Sequence, residues 1–262
     1  MLREHSITIG SKNTWEDWHL QPSSRPVVAP PNQKTNFIDI PGSNGHLDLS
    51  EVPMGYPVYE NRTGSWEFIV VNGYRDWDLV YSDIMNYLHG RTMQVILDDD
   101  PGYYYEGRLT VSNWTSNTDG TWSTIEISYN LGPFKYSVIN SLDDWLWDPF
   151  DFENDVIPEG YFSKIEIEPE DEWVEFDYSR FIGRAPVVPI VSVENPEGKE
   201  GQGILVSFYN SRLGDFWTTA VFPEGSSKLS DMLFMKMVPE DIVKVRLRGH
   251  ATVSLYFRRG IL

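Results

Sequence analysis

The stretch NFIDIPGSNGHLDLSE, Asn36 to Glu51, decides whether this chain is read as an enzyme or as a builder of β-structure. It sets Asp39, Asp48 and Glu51 around a knot of Pro, Gly, Ser and Asn. Ile38, Ile40, Leu47 and Leu49 alternate with polar residues, the period-two pattern of strands. Asn44-Gly45 lies between the two runs and suits a type I′ turn, whose central residues both take positive φ. A two-residue loop there pairs Ile40 with Leu49 and Asp39 with Ser50. A loop at Ser43-Asn44 would instead oppose Asp39 to Asp48. Like charges directly opposite one another are unfavourable, so the first register is expected. Either register gathers the four aliphatics on one face, which neighbouring elements are expected to bury, and the acids on the other. The stretch is read as a hairpin with a solvated acidic face. No second catalytic group converges on it to make a carboxylate pair for acid–base chemistry.

The flanking sequence keeps the same character. Ser6 to Gly10 and Ser65 to Val71 read as short strands. A single helix is expected from about Arg75 to His89. Trp77, Val80, Tyr81, Ile84, Tyr87 and Leu88 follow the i, i+3, i+4, i+7 spacing of one apolar stripe. Gly90 suits the C′ position that ends it, and His89 the favourable end of the helix dipole. MQVIL and YYYEGRLTVSNW read as strands joined through Asp98 to Gly102. Asn117 to Gly120 turns the chain into TWSTIEISYN, with Ile125, Ile127 and Tyr129 pointing inward. From Gly132 to Gly160 the periodicity fails and acids mix with Trp and Phe. This stretch is read as a linker whose rings tuck against neighbouring domains. Beyond it, VVPIVSV, GILVSFY, WTTAVF, IVKVRLRG and ATVSLYFRRG recur at the short spacing of a β-sandwich. Turns fall at Pro196-Glu197-Gly198 and Pro223-Glu224-Gly225. Val253, Leu255 and Phe257 share one face, and SSKLSDMLFM offers at most one helical turn.

Composition narrows the function. The 262 residues suffice for one large all-β domain or two ordinary ones, and at 40% hydrophobic and 14% aromatic they can fill a core. The formal net charge of −18 argues against binding nucleic acid through phosphates, which needs clustered Lys and Arg. It equally disfavours anionic membrane surfaces. No run approaches the ~18 apolar residues of a membrane span. The N-terminal stretch lacks the apolar core of a signal peptide, so synthesis in the cytosol is expected. There is no cysteine, which excludes disulfides and thiolate sites.

Chemical motifs are wanting. His5, His19, His46, His89 and His250 stand far apart, with no metal-ligand spacing. The run Asp98, Asp99, Asp100 precedes Pro101 and lacks the alternate spacing of a calcium loop, so it is read as a solvated strand end and turn. There is no Gly-x-Ser-x-Gly elbow and no phosphate-cradling loop. Asn61-Arg62-Thr63 and Asn113-Trp114-Thr115 match the glycosylation pattern but carry little without an export signal. No catalytic residue, cofactor site or metal site is assigned.

Taken in order, several stretches resemble the distal tail (Dit) proteins of long-tailed siphophages or prophages of Gram-positive bacteria. They are NTWEDWHL (Asn13 to Leu20), IPGSNGHLDLSE (Ile40 to Glu51), YENRTGSWEF (Tyr59 to Phe68), YLHGR (Tyr87 to Arg91), VILDDDPGYYYEGRLTV (Val95 to Val111), GPFKY (Gly132 to Tyr136) and VSLYFRRGIL (Val253 to Leu262). The resemblance spans nearly the whole chain. It implies a mainly β protein with one helix. Residues 1–136 would form a tail-tube-like ring domain, 137–159 a linker, and 160–262 a galectin-like β-sandwich outside the ring. It implies a structural, non-enzymatic role at the virion tail tip. There a homo-hexamer would join the major tail tube protein to a tail-associated hub or fibre protein and to receptor-binding proteins. The alternative is a carbohydrate-binding module recognising the host cell wall; a glycan-cleaving enzyme is a third class, for which no acid pair can be singled out. Sugar-binding galectins carry a His-x-Asn-Pro-Arg run and a Trp closely followed by Glu. Here His250 is followed by Ala251 and Thr252, so that sugar site is expected to be absent. A ring that passes viral DNA without holding it is expected to have an acidic inner wall, with Asp98 to Asp100 as candidates for it.

Overall fold

The structure, a computed structural model, describes residues 5–70, 77–116, 122–138, 165–167, 173–177, 183–187, 190–194, 204–211, 218–222, 225–228, 242–249 and 251–262. The chain is mainly β with one helix. It divides into two compact units, Met1–Lys135 with Leu262, and Tyr136–Ile261.

The first unit runs β1 (Ile7–Ile9), β2 (Lys12–Asn13), β3 (Leu20–Pro22), β4 (Phe37–Asp39), β5 (His46–Asp48), β6 (Arg62–Val70), α1 (Trp77–Leu88), β7 (Thr92–Leu97), β8 (Tyr103–Ser116) and β9 (Ser123–Leu131). Seven of these strands make one sheet in the order β2-β1-β7-β8-β9-β6-β3. Its ladders are antiparallel, which suits short connections. Along β9, Ile125, Ile127, Tyr129 and Leu131 are buried while Glu126, Ser128 and Asn130 face the other way, the inward set expected from the sequence. The apolar stripe of α1 closes the core. Trp77, Ile84 and Leu88 are buried, and Val80, Tyr81 and Tyr87 pack partly against the same cluster. Gly90 ends the helix with φ +75°, a left-handed backbone that glycine takes without a steric cost.

His89 stands at the end of the helix, as expected, and its Nδ1 accepts the Val111 N–H at 3.2 Å, so the ring ties the helix end to β8. The bond falls where the β8–β9 register shifts between Val111 and Asn113, a bulge that interrupts the ladder.

The opening hairpin is present, but both expected registers are wrong. β4 and β5 pair Phe37 with Asp48, Ile38 with Leu47 and Asp39 with His46. The turn is made at Pro41-Gly42 rather than Asn44-Gly45. The Ser43 N–H donates to the Ile40 carbonyl at 3.0 Å, and Gly42 has φ +85°. Proline pre-sets the first central residue of a type II turn and glycine supplies the positive φ of the second. Gly45, at φ +78°, then leads into the return strand. The register places the His46 ring against the Asp39 carboxylate, which relieves the charge problem without opposing any acids. The aliphatic face is not buried: Ile38, Ile40 and Leu47 are all exposed.

β10 (Lys135–Ser137) spans the boundary in the chain, and the second unit then carries β11 (Ile165–Ile167), β12 (Val174–Asp177), β13 (Ile190–Glu194), β14 (Ile204–Asn210), β15 (Thr218–Phe222), β16 (Gly225–Lys228), β17 (Val243–Arg248), β18 (Ala251–Tyr256) and β19 (Gly260–Ile261). Two four-stranded antiparallel sheets form, ordered β11-β18-β13-β16 and β12-β17-β14-β15. Each buries alternate residues in facing pairs: Val193 with Val253 in one, Val206 with Leu247 and Phe208 with Val245 in the other. Phe257 is buried as well. Ser226 to Lys228, expected to begin a helical turn, lie in β16. Ser137, expected at the start of the linker, lies in β10 and its N–H donates to the Arg259 carbonyl at 2.9 Å. The rest of that linker beyond Val138, the turns at residues 117–120 and 196–198, and His250 lie outside the described residues.

Candidate assembly surface

The first unit extends one arm away from its core. The chain leaves the sheet after β3, and three contacts fix its root. The Trp66 Nε1–H donates to the Val27 carbonyl at 3.0 Å, the Ala29 N–H donates to the Tyr129 hydroxyl at 3.0 Å, and the Arg62 guanidinium donates to the Ala29 carbonyl at 3.0 Å. Arg62 is 5% exposed, donates also to the Pro133 carbonyl at 2.9 Å and lies over the Tyr105 ring. Burial lowers its pKa, but Arg keeps its charge in proteins, and the carbonyl acceptors solvate it. Further out, the Lys34 N–H donates to Val58 and the Glu60 N–H to Asn32, each through a carbonyl, so the two limbs of the arm zip together. Tyr59 meets Phe134 edge-to-face at this base, with ring centres 6.0 Å apart.

Beyond the base, the arm stands in solvent. Every residue from Gln33 to Asp48 is exposed. Phe37 is 56% exposed, Ile38 44%, Leu47 46% and Val52 70%, with Ile40 and Met54 similar. The two-stranded β4–β5 sheet joins no other sheet. A lone hairpin is marginal in water, and contiguous exposed apolar groups mark interaction surfaces. Polar contacts brace the hairpin: Asp39 with His46, and Asp48 with Ser50. The Ser50 side chain and backbone N–H hold the Asp48 carboxyl below its usual range.

The other sequence candidates settle into structural work. Asp98, Asp99 and Asp100 sit on the β7–β8 turn, but each has its own partner. Ser6 donates to Asp98, His5 and Arg25 contact Asp99 at 2.9 Å, and Lys135 pairs with Asp100. They pin the N-terminal strand, the chain after β3 and the end of the unit to one turn. His19 packs edge-on to Trp15. Among the described residues, no group of three or more His, Asp or Glu could hold a metal ion.

The stretch NTWEDWHL, one of those that carry the resemblance, also has a structural role. The Asn13 side-chain oxygen accepts the N–H groups of Trp15 and Glu16, shaping a tight turn after β2. That turn delivers the Trp18 Nε1–H to Asp83 of α1 at 2.9 Å, beside Lys12 Nζ at 2.6 Å. Lys12 also lies over the rings of Trp18 and Tyr87, 5.4 and 5.0 Å from their centres. The motif clamps the helix to the edge of the sheet. Pairing of a Trp and a Lys with one Asp 65 to 71 residues away left no local signal in the sequence.

The first unit thus presents an anchored core and a projecting arm with exposed apolar side chains. No protein-family model matches the chain, and no curated protein matches it in sequence. Among solved structures, the chain is similar in fold to the crystal structure of SPP1 Dit (gp 19.1), described as a paradigm of the hub adsorption apparatus in Gram-positive infecting phages. The match has a TM-score of 0.59 at 12% identity, and covers 98% of this chain and 99% of that one. The likeness is therefore one of fold, over the full length.

Proposed function

We propose that this chain is a structural distal tail protein of a phage or prophage of a Gram-positive bacterium. Six copies close into a ring at the tail tip of the virion, between the tail tube protein and a hub or fibre protein of the adhesion device. The first unit makes the ring. The second is a galectin-like sandwich that serves as a platform for receptor-binding proteins, and neither unit carries out catalysis. The observation that carries this reading is the arm. A hairpin with Phe37, Ile38, Ile40 and Leu47 in solvent is an unfinished contact, and copies of one chain can complete it head-to-tail around a closed ring. The full-length likeness to SPP1 Dit and the order of the sequence motifs support the choice of assembly.

The test is the assembly state of the full chain and of the double variant Ile38→Ser, Leu47→Ser, by light scattering and negative-stain imaging. The parent protein is expected as a hexamer with a central hole. The variant is expected as a monomer with unchanged circular dichroism, because both side chains are already exposed. A parent that stays monomeric at every concentration overturns the reading.

A further inference from the structure

The arm is aimed from the core. Its outgoing limb is gripped at Val27 to Ala29, and the hydrogen bonds that grip it all end on its backbone. Val28 packs against the core cluster. On one side of it the Val27 carbonyl accepts from the Trp66 indole and, at 3.5 Å, from the Tyr129 hydroxyl. On the other, that hydroxyl accepts the Ala29 N–H, and the Ala29 carbonyl accepts from Arg62. The gripping groups come from one face of β6 and its partner on β9. Arg62, Gly64 and Trp66 alternate along β6, and Gly64 opposes Tyr129 in the ladder. A Cβ at Gly64 would collide with the Tyr129 ring, so the glycine lets the phenol lie across β6 and reach the arm. Arg62 ties the two limbs together. Its backbone begins β6, where the returning limb enters the sheet, while its side chain holds the outgoing limb at Ala29 and the Pro133 carbonyl beyond β9. Among the described residues no carboxylate pairs with it. A buried cation without a counter-ion is costly to a fold. What only a guanidinium offers is a planar fork that fixes two carbonyls at a set angle.

The clamp runs straight into Pro30-Pro31. Proline fixes φ, and a residue before proline is kept extended, so Ala29 and Pro30 have little freedom and the limb leaves the clamp as a stiff strut. Pro30 is exposed and Pro31 only half-buried, so core packing does not account for the pair. Beyond them the limbs zip together through the Lys34 and Glu60 N–H groups. The arm is therefore held at one angle before any partner arrives. A head-to-tail contact repeats one rotation from copy to copy. It closes into a ring only where that rotation completes the circle, and otherwise gives open chains. We infer that the clamp of Arg62, Trp66 and Tyr129, together with the Pro30-Pro31 strut, sets the angle between neighbouring copies and so makes the assembly close with a single copy number. The inference rests on the proposed ring and divides the work within it: the apolar face of the hairpin supplies adhesion, and the joint supplies closure.

Two full-length variants separate angle from adhesion. Pro30→Gly, Pro31→Gly loosens the strut outside the core, and Arg62→Met removes the fork. Native mass spectrometry over a concentration series reads copy number, negative stain reads closure, and thermal circular dichroism reads the fold. The proline variant is expected to keep the parent's melting curve and still to associate. It does so as a mixture of copy numbers with open chains among them, at a midpoint concentration about tenfold higher, because the free arm now samples more directions. In Arg62→Met the Ala29 N–H is expected to exchange with solvent faster while the Lys34 and Glu60 N–H groups stay protected, the sign of a loosened joint rather than an unzipped arm. Uniform closed rings at the parent's midpoint in the proline variant overturn the inference and leave the ring standing. So does a proline variant that is monomeric at every concentration, the result expected of Ile38→Ser, Leu47→Ser, since the loss would then lie in adhesion. A parent that forms no ring overturns both the inference and the reading it rests on.

Discussion

Gly107 shows how one residue can be fixed by its neighbours. A Cβ built there would lie 2.2 Å from the Asn130 carbonyl oxygen and 2.5 Å from Leu131 Cα, both backbone atoms of β9. Gly107→Ala must push two central strands apart, and is expected to cost about 1–3 kcal/mol in urea unfolding. Gly90 differs in kind. Nothing lies within 4 Å of its added Cβ, but its φ of +75° is left-handed. Gly90→Ala is expected to cost about 1–2 kcal/mol from backbone strain alone. The acids supply a pH dependence. Hydrogen bonds from Lys12 and then Trp18 hold the Asp83 carboxyl below its usual value. Burial raises that of Asp99, but hydrogen bonds and charge from His5 and Arg25 outweigh it, leaving it lowered too. A carboxyl whose folded pKa is depressed contributes stability that is present above its unfolded pKa and lost as pH falls through the folded one. The loss is therefore expected on the acid side of the ordinary carboxylate range. The double variant Asp83→Asn, Asp99→Asn should flatten the acid limb of a stability–pH curve; an unchanged limb would assign acid unfolding to other groups.

Elements differ in how far the sequence reveals them. Helix α1 was legible because six apolar residues kept one period, and its burial follows. Ile84 is 0% exposed, so Ile84→Ala is expected to cost about 2–5 kcal/mol; a change below half of the lower bound would place the stripe elsewhere. β6 to β9 were legible by alternation, with ends shifted by a few residues. β2 and β3 were not, because two or three residues carry no period, and Pro22 in β3 is tolerated only because that strand is an edge. The hairpin is the instructive case. Its existence was legible, but two competing turn dipeptides lay three residues apart, and Pro41-Gly42 prevailed over Asn44-Gly45. Alternation also says which residues share a face, not what covers it, so the exposure of Ile38 and Leu47 could be learned only from the structure. Aspartates 98 to 100 read as a solvated turn because their partners, Ser6, His5, Arg25 and Lys135, are spread along the whole unit. Strands β13, β14, β15, β17 and β18 of the second unit were anticipated, but not β11, β12 or β16, whose three or four residues carry no clear period or lie beside acidic and turn residues.

At the scale of the molecule, a core closed by one helix carries an arm that the unit itself leaves in solvent. In the proposed assembly of identical chains the arm is the lateral contact between neighbouring copies. All of this depends on the chain assembling at all. The most direct test is single-particle imaging of the purified full-length protein over a concentration series. The account predicts rings of six copies around an open centre, and their loss in the variant with Ile38 and Leu47 changed to Ser. Compact particles with no central opening, at the mass of one chain throughout the series, would contradict it.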